Sequence, residues 1–141
     1  MSEEKKKNCE VFFNPPAKIL VVDDSQLNRS FVVNSFQLPN YAIISAVDAQ
    51  DGISKAKSFL PELILLDVMM PVMNGHEACA KLKGNKDTAD IPVILLTAVA
   101  DRVTTSTYTH RDMLESEAED YMPKPVEPKE LLELIKNWLN K

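Results

Sequence analysis

Five polar residues each stand at the end of an apolar run in this 141-residue chain. Asp23 and Asp24 follow Lys18–Val22, Asp67 closes ELILLD (62–67), Thr97 closes PVILLT (92–97), and Lys124 lies just past Asp120–Met122. One aspartate or threonine in such a place is an ordinary helix cap or loop residue. Three carboxylates, a hydroxyl and an ammonium form a site if the fold gathers the run ends at one edge. Like charges about 4 Å apart repel by about 4 kcal/mol at an effective dielectric of 20. The three carboxylates therefore stay ionised together only around a cation. All-oxygen ligands with room for water select a hard divalent ion, and Mg²⁺ is the expected occupant. Beside a hydroxyl and an ammonium, that set is suited to a phosphoryl group. The cation and the lysine neutralise its oxygens while the hydroxyl donates a hydrogen bond.

The elements that must position these residues follow in strict alternation. Lys18–Val22 is a compact apolar run and predicts a buried strand. It stops at Asp23-Asp24-Ser25, where an aspartate or the serine caps a helix reaching about Gln37, with Leu27, Phe31, Val32, Val33 and Phe36 on its apolar face. Tyr41–Val47 is the second strand. Asp48 caps a helix over Ala49–Phe59, which Pro61 ends. Glu62–Asp67 is the third strand, and a helix from Gly75 to Lys83 stops at Gly84-Asn85. Pro92–Thr97 and Asp120–Met122 are the fourth and fifth strands. Pro128 opens a last helix with Leu131, Ile135, Trp138 and Leu139 on one face. Continuous rather than alternating apolar strands mean burial on both sides, hence a parallel sheet between two helix layers. Right-handed crossovers make this a doubly wound, five-stranded α/β fold, in which ligands sit beyond the carboxyl ends of the strands. Residues 1–16 read as a mobile arm carrying one short apolar run, Val11–Phe13, and residues 17–141 as one domain.

Composition removes several alternatives. With 16 Lys plus Arg against 21 Asp plus Glu, the net charge is −5, the wrong sign for a nucleic-acid surface. Three glycines, Gly52, Gly75 and Gly84, build no P-loop, dinucleotide fingerprint or hydrolase elbow. The two histidines and two cysteines are too far apart in sequence for a zinc motif or a disulfide framework. The longest nearly apolar stretch, Ile91–Ala100, is half the length of a membrane helix, which takes about twenty residues. The first residues lack a signal-peptide apolar core, so a cytoplasmic location is expected.

At these residues the chain resembles the receiver domains of two-component response regulators, in particular stand-alone receivers of the chemotaxis-regulator kind. The stretches that carry the likeness are ILVVDDSQLNR (19–29), LILLDVMMPVMNG (63–75), PVILLTA (92–98) and DYMPKP (120–125). The resemblance implies a flavodoxin-like (βα)5 fold and a role for each residue. Asp67 accepts a phosphoryl group from the phosphohistidine of a histidine kinase or phosphotransfer protein. Asp23, Asp24 and Asp67 hold Mg²⁺ together with the backbone carbonyl of Met69. Thr97 and Lys124 contact phosphoryl oxygens, and Thr97 with Tyr121 forms the switch that presents a surface to an unknown downstream protein. Pro125 matches a position where a cis peptide is usual. Met69 and Val99 match positions flanking the phosphoryl group, and both are apolar, which implies slow self-dephosphorylation. The implied chain is no enzyme beyond its own phosphorylation and dephosphorylation, acts as a monomer or phosphorylation-dependent dimer, and carries no output domain.

One segment departs from that pattern. Thr97 to Lys124 spans 27 positions, several more than the family uses, and includes the helix-poor run Val103–Thr109. Irregular structure is expected from about Val99 to Thr109, with a short helix from about His110 to Ala118. Other readings remain open at this point. They are a Mg²⁺-dependent phosphatase with Asp67 as nucleophile, a flavin carrier of the same topology, a phosphorelay intermediate, and a degenerate receiver that is not phosphorylated. Haloacid-dehalogenase-like phosphatases want a second aspartate where this chain has Met69. A flavin carrier wants a Ser/Thr-rich loop where it has Asp23-Asp24.

Overall fold

A computed structural model of the chain describes residues 16–35, 41–97 and 118–140. The described elements are β1 (Ala17–Val22), α1 (Gln26–Ser35), β2 (Tyr41–Ala46), α2 (Ala49–Phe59), β3 (Leu63–Asp67), α3 (Gly75–Lys83), β4 (Val93–Thr97), β5 (Asp120–Pro123) and α4 (Pro128–Leu139). The five strands form one sheet in the order β2-β1-β3-β4-β5, every pair parallel. The chain turns back between β1 and β3, so the crevice above that pair is where such a sheet places its ligand.

Alternate side chains of each central strand feed two separate cores, and this is why the strands read as continuous apolar runs. Leu20, Val22, Ile64, Leu66, Val93 and Leu95 pack with Ala49, Ile53 and Ala56 of α2 and Ala78, Cys79 and Leu82 of α3. Ile19, Val21, Leu63, Leu65, Ile94 and Leu96 pack with Val32 of α1 and Leu131 and Ile135 of α4. The expected doubly wound, three-layer fold is the observed one.

Local signals account for most boundaries. Asp48 caps α2 by accepting from the Asp51 N–H, and Leu60 ends it in the left-handed region at φ 47°, just before Pro61. Asn74 and Glu77 form a reciprocal capping box at the start of α3. Pro128 lies in the first turn of α4. Three details differ from expectation. Gly84 closes α3 in a right-handed conformation, at φ −80°, and not in the left-handed one typical of a glycine stop. Val47 lies outside β2 and is exposed. On α1 only Val32 reaches the core, while Leu27 is 79% exposed and Phe31 is 47% exposed. Phe36 and Gln37 lie outside the described residues, as does the arm expected over residues 1–16 apart from Pro16. The segment from 98 to 117 is likewise outside them, so Val99, the irregular stretch and all but the last residue of the expected short helix are not described; Ala118 itself is not helical.

Candidate functional site

Each of the five predicted residues stands where its strand leaves the sheet. Asp23 follows β1 and donates its N–H to the Ala46 carbonyl, 3.2 Å away, which holds it at the carboxyl edge. Its Oδ1 accepts from the Ser25 N–H at 2.9 Å, and the Arg29 guanidinium donates to its carbonyl at 2.7 Å. Ser25 starts α1 by accepting from the Asn28 N–H at 3.3 Å. The serine is thus the capping group, and Asp24 stays exposed beside Asp23. Asp23 is almost completely buried, and its Oδ2 is buried without a hydrogen-bond partner.

Asp67 ends β3 and is only 3% exposed. The chain beyond it is fixed by two backbone bonds: Val68 N–H to the Leu96 carbonyl at 3.1 Å, and Gly75 N–H to the Val68 carbonyl at 2.8 Å. Gly75 has to be glycine because α3 starts against the strand end. A Cβ there would lie 2.5 Å from the Asp67 carbonyl oxygen and 2.8 Å from Val68 Cα. Met69 follows with an exposed side chain, while Met70 turns into the core.

Thr97 ends β4, buried, and its carbonyl accepts from the Lys124 N–H at 2.6 Å. The Lys124–Pro125 peptide is cis. The Lys124 ammonium donates to Asp67 Oδ1 at 2.6 Å and lies 3.5 Å from Asp23 Oδ2. Ligand oxygens of Asp23, Asp24 and Asp67 all fall within 4.8 Å of one another. Tyr121 sits lower on β5, in register with Leu95 and packed against the core on the α2–α3 side, outside this cluster.

Electrostatics follow from the crowding. Burial pushes the Asp67 carboxyl up to about 6, and the nearby Asp23 and Asp24 charges add to the rise while Lys124 opposes it. Burial also works against the Lys124 ammonium, but its bond to Asp67 and the charge of Asp23 hold its pKa above the ordinary lysine value. The residues fit a hard divalent cation. They supply only oxygen donors, one of them a buried carboxylate oxygen lacking a hydrogen bond, in a place of net negative charge.

Sequence reasoning missed the anchor at the opposite edge of the sheet. Lys83, its side chain only 6% exposed, donates to the carbonyls of Ala89 and Ile91 and pairs with Glu119 at 2.7 Å. Glu119 in turn accepts from the Val93 N–H at 2.8 Å and donates its own N–H to the Val93 carbonyl at 2.9 Å. Trp138, expected in the core, is half-buried there and donates to Asp120 Oδ2 at 3.0 Å. No helix among the described residues is long and apolar enough to cross a membrane.

Known proteins resemble this chain in sequence and fold. The sequence profile of the response regulator receiver domain matches residues 19–136. Response regulator PleD of Caulobacter vibrioides is 39% identical over 114 residues, covering 79% of this chain and 23% of that protein. Response regulator ArlR of Staphylococcus aureus is 36% identical over 124 residues, covering 88% of this chain and 53% of that one. The chain thus spans about half or less of the length of these curated relatives. Among solved structures, chemotaxis protein CheY4 of Vibrio cholerae superposes with a TM-score of 0.74 at 27% identity, covering 86% of this chain and 98% of that one. The receiver domain of sensor histidine kinase PA1611 from Pseudomonas aeruginosa shares the fold, with a TM-score of 0.78 at 23% identity and 89% and 99% coverage. With the profile spanning most of the chain, this chain belongs to the response regulator receiver domain family.

Proposed function

We propose that Asp67 is the phosphoacceptor of a two-component switch. The reading rests above all on one observation: a buried carboxylate at the end of the central strand, 2.6 Å from a lysine ammonium and grouped with two further aspartates. An Asp67 carboxylate oxygen attacks the phosphorus of a phosphohistidine. The new O–P bond forms as the N–P bond breaks, and the imidazole nitrogen leaves with the bonding pair. Lys124 already touches the accepting carboxylate and is placed to meet an oxygen of the arriving phosphoryl group. Thr97, one strand over, brings its hydroxyl to the same edge, and Tyr121 lies further down β5 as the residue through which the change is passed on. The chain catalyses only its own phosphorylation and dephosphorylation.

Asp23, Asp24 and Asp67, with the Met69 carbonyl, would hold Mg²⁺. When bound, the ion supplies positive charge that offsets the crowded carboxylates and the phosphoryl oxygens. A magnesium ion is coordinated in the active-site cleft of the PA1611 receiver domain, which supports this assignment. The phosphoryl donor is a histidine kinase or a histidine phosphotransfer protein, and the partner is a protein rather than a nucleic acid. The experiment is intact-mass analysis after treatment with acetyl phosphate and Mg²⁺. One base-labile phosphoryl group is expected on the wild-type chain and none on Asp67→Asn. Full labelling of Asp67→Asn overturns the assignment.

A further inference from the structure

Almost every polar group of Asp23 is tied to the protein. Its N–H donates to the Ala46 carbonyl at 3.2 Å, its Oδ1 accepts from the Ser25 N–H at 2.9 Å, and its carbonyl accepts from the Arg29 guanidinium at 2.7 Å. Oδ2 is left over, buried, without a hydrogen bond and 3.5 Å from the Lys124 ammonium. Two of the three ties run to backbone groups, which almost any residue type would supply. The third comes from a side chain and depends on this arginine.

Helix geometry lets Arg29 make that bond. Its own N–H closes the first turn of α1 on the Ser25 carbonyl at 3.0 Å. Side chains on a helix lean toward its N-terminus, so the guanidinium reaches back six residues to Asp23. Electrostatics oppose the placement, because a helix N-terminus carries partial positive charge and favours anions. Yet the first turn of α1 holds no acidic residue, and a guanidinium points back over it. Among the described residues Arg29 forms no ion pair with Asp23 or Asp24; its bond goes to the carbonyl. A forked arginine–carboxylate pair would occupy the oxygens that a cation needs, and this arrangement leaves them open. The carbonyl belongs to the planar peptide that joins Asp23 to Asp24, so holding it fixes the base from which the exposed Asp24 side chain departs. Asp23 is almost completely buried, and its carbonyl, deprived of this donor, would turn to find another.

We propose that Arg29 is a positioning residue for the cation: by holding the Asp23–Asp24 peptide it keeps both carboxylates where they can share one ion with Asp67. Arg29 itself touches neither the ion nor the phosphoryl group. The proposal rests on the Mg²⁺ reading above. Groups that orient metal ligands are worth roughly 10–100-fold in metal affinity, and a bond to the backbone beside the ligating oxygens belongs at the lower end.

The test is a calorimetric Mg²⁺ titration of the full chain and its variants. Arg29→Met should bind about 10-fold more weakly than wild type, and Arg29→Lys, which keeps a charged donor, should recover most of the loss. Without metal, the amide signals of Asp24 and Ser25 should shift and exchange faster in Arg29→Met, while those of Ile64 and Leu65 stay as in wild type. With acetyl phosphate as donor, the defect should lie in the Mg²⁺ concentration for half-maximal labelling of Asp67, and much less in the rate at saturating Mg²⁺. Unchanged affinity in Arg29→Met overturns the proposal. So does tighter binding, which would make the arginine no more than a repelling charge. An Arg29→Lys chain as weak as Arg29→Met also overturns it, because the bond to the carbonyl would then not be what matters. Arg29→Gln replaces Arg29→Met if that chain does not fold, and is read the same way. A wild-type chain that binds no Mg²⁺ strikes the cation reading and this proposal with it, whereas wild-type binding with unaltered variants strikes the role of Arg29 alone.

Discussion

Asp67 sits at the conflict between burial and charge. Its pKa is raised from 3.8 to about 6, so the folded chain keeps a proton there that the unfolded chain has released. Stability contributed by this proton is fully present below about pH 4 and is lost as pH rises through about 6. A cation binds the ionised form, so its effect has the opposite slope. Mg²⁺ is expected to raise the melting temperature clearly at pH 7.5 and hardly at all at pH 5, with the change centred near pH 6. Thermal denaturation with and without Mg²⁺ across that range checks this, and a pH-independent shift would refute it. At this scale the sequence was highly legible. The aspartates, Thr97 and Lys124 each interrupt an apolar run, and the fold brings Asp23, Asp24, Asp67 and Lys124 together. What pattern could not show was the division of labour at Asp23-Asp24-Ser25, where the serine takes the cap and leaves a carboxylate oxygen of Asp23 without a hydrogen bond.

Among elements, the start of α3 matters most to the chemistry. The helix is pressed against the strand end that carries Asp67, and a methyl at Gly75 would overlap backbone atoms that cannot rotate away. Gly75→Ala should cost about 1–3 kcal/mol, as overpacking does, and should slow phosphoryl uptake by displacing the Asp67–Val68 backbone. A urea midpoint measured together with acetyl phosphate labelling tests both; an unchanged midpoint would show that α3 can retreat. The bounds of α2 and α3 were readable because caps and stops mark them. The exposure of Leu27 and Phe31 was not, because helical spacing finds an apolar face without saying whether neighbours cover it. Val72, at φ 71°, was also illegible: its sequence is a β-branched residue where a positive φ calls for glycine.

Across the whole molecule, polar groups gather at both edges of the sheet. The site occupies the carboxyl edge, and Lys83 with Glu119 binds α3, the entry to β4 and the entry to β5 at the other. The pair is 36 residues apart in sequence, so local pattern gave no sign of it. Glu119→Ala leaves Lys83 with two carbonyl acceptors and frees the Val93 N–H. A loss of about 1–3 kcal/mol is expected, read as a lower urea midpoint with labelling of Asp67 retained. A loss of labelling at full stability would mean that this anchor serves the chemistry instead.

The two-sided burial of the central strands has a consequence for how the chain finds its alignment. In a strand with one wet face, slipping by one residue exposes the apolar side chains and is rejected on that ground. Here Leu63–Leu66 are buried on both faces, so a slip of β3 against β1 exchanges one apolar neighbour for another. What resists it is Asp67: moved one step inward, its carboxylate would enter the core away from Lys124, a costly burial of unpaired charge. The same aspartate that we propose as the phosphoacceptor thus also marks where the strand must stop.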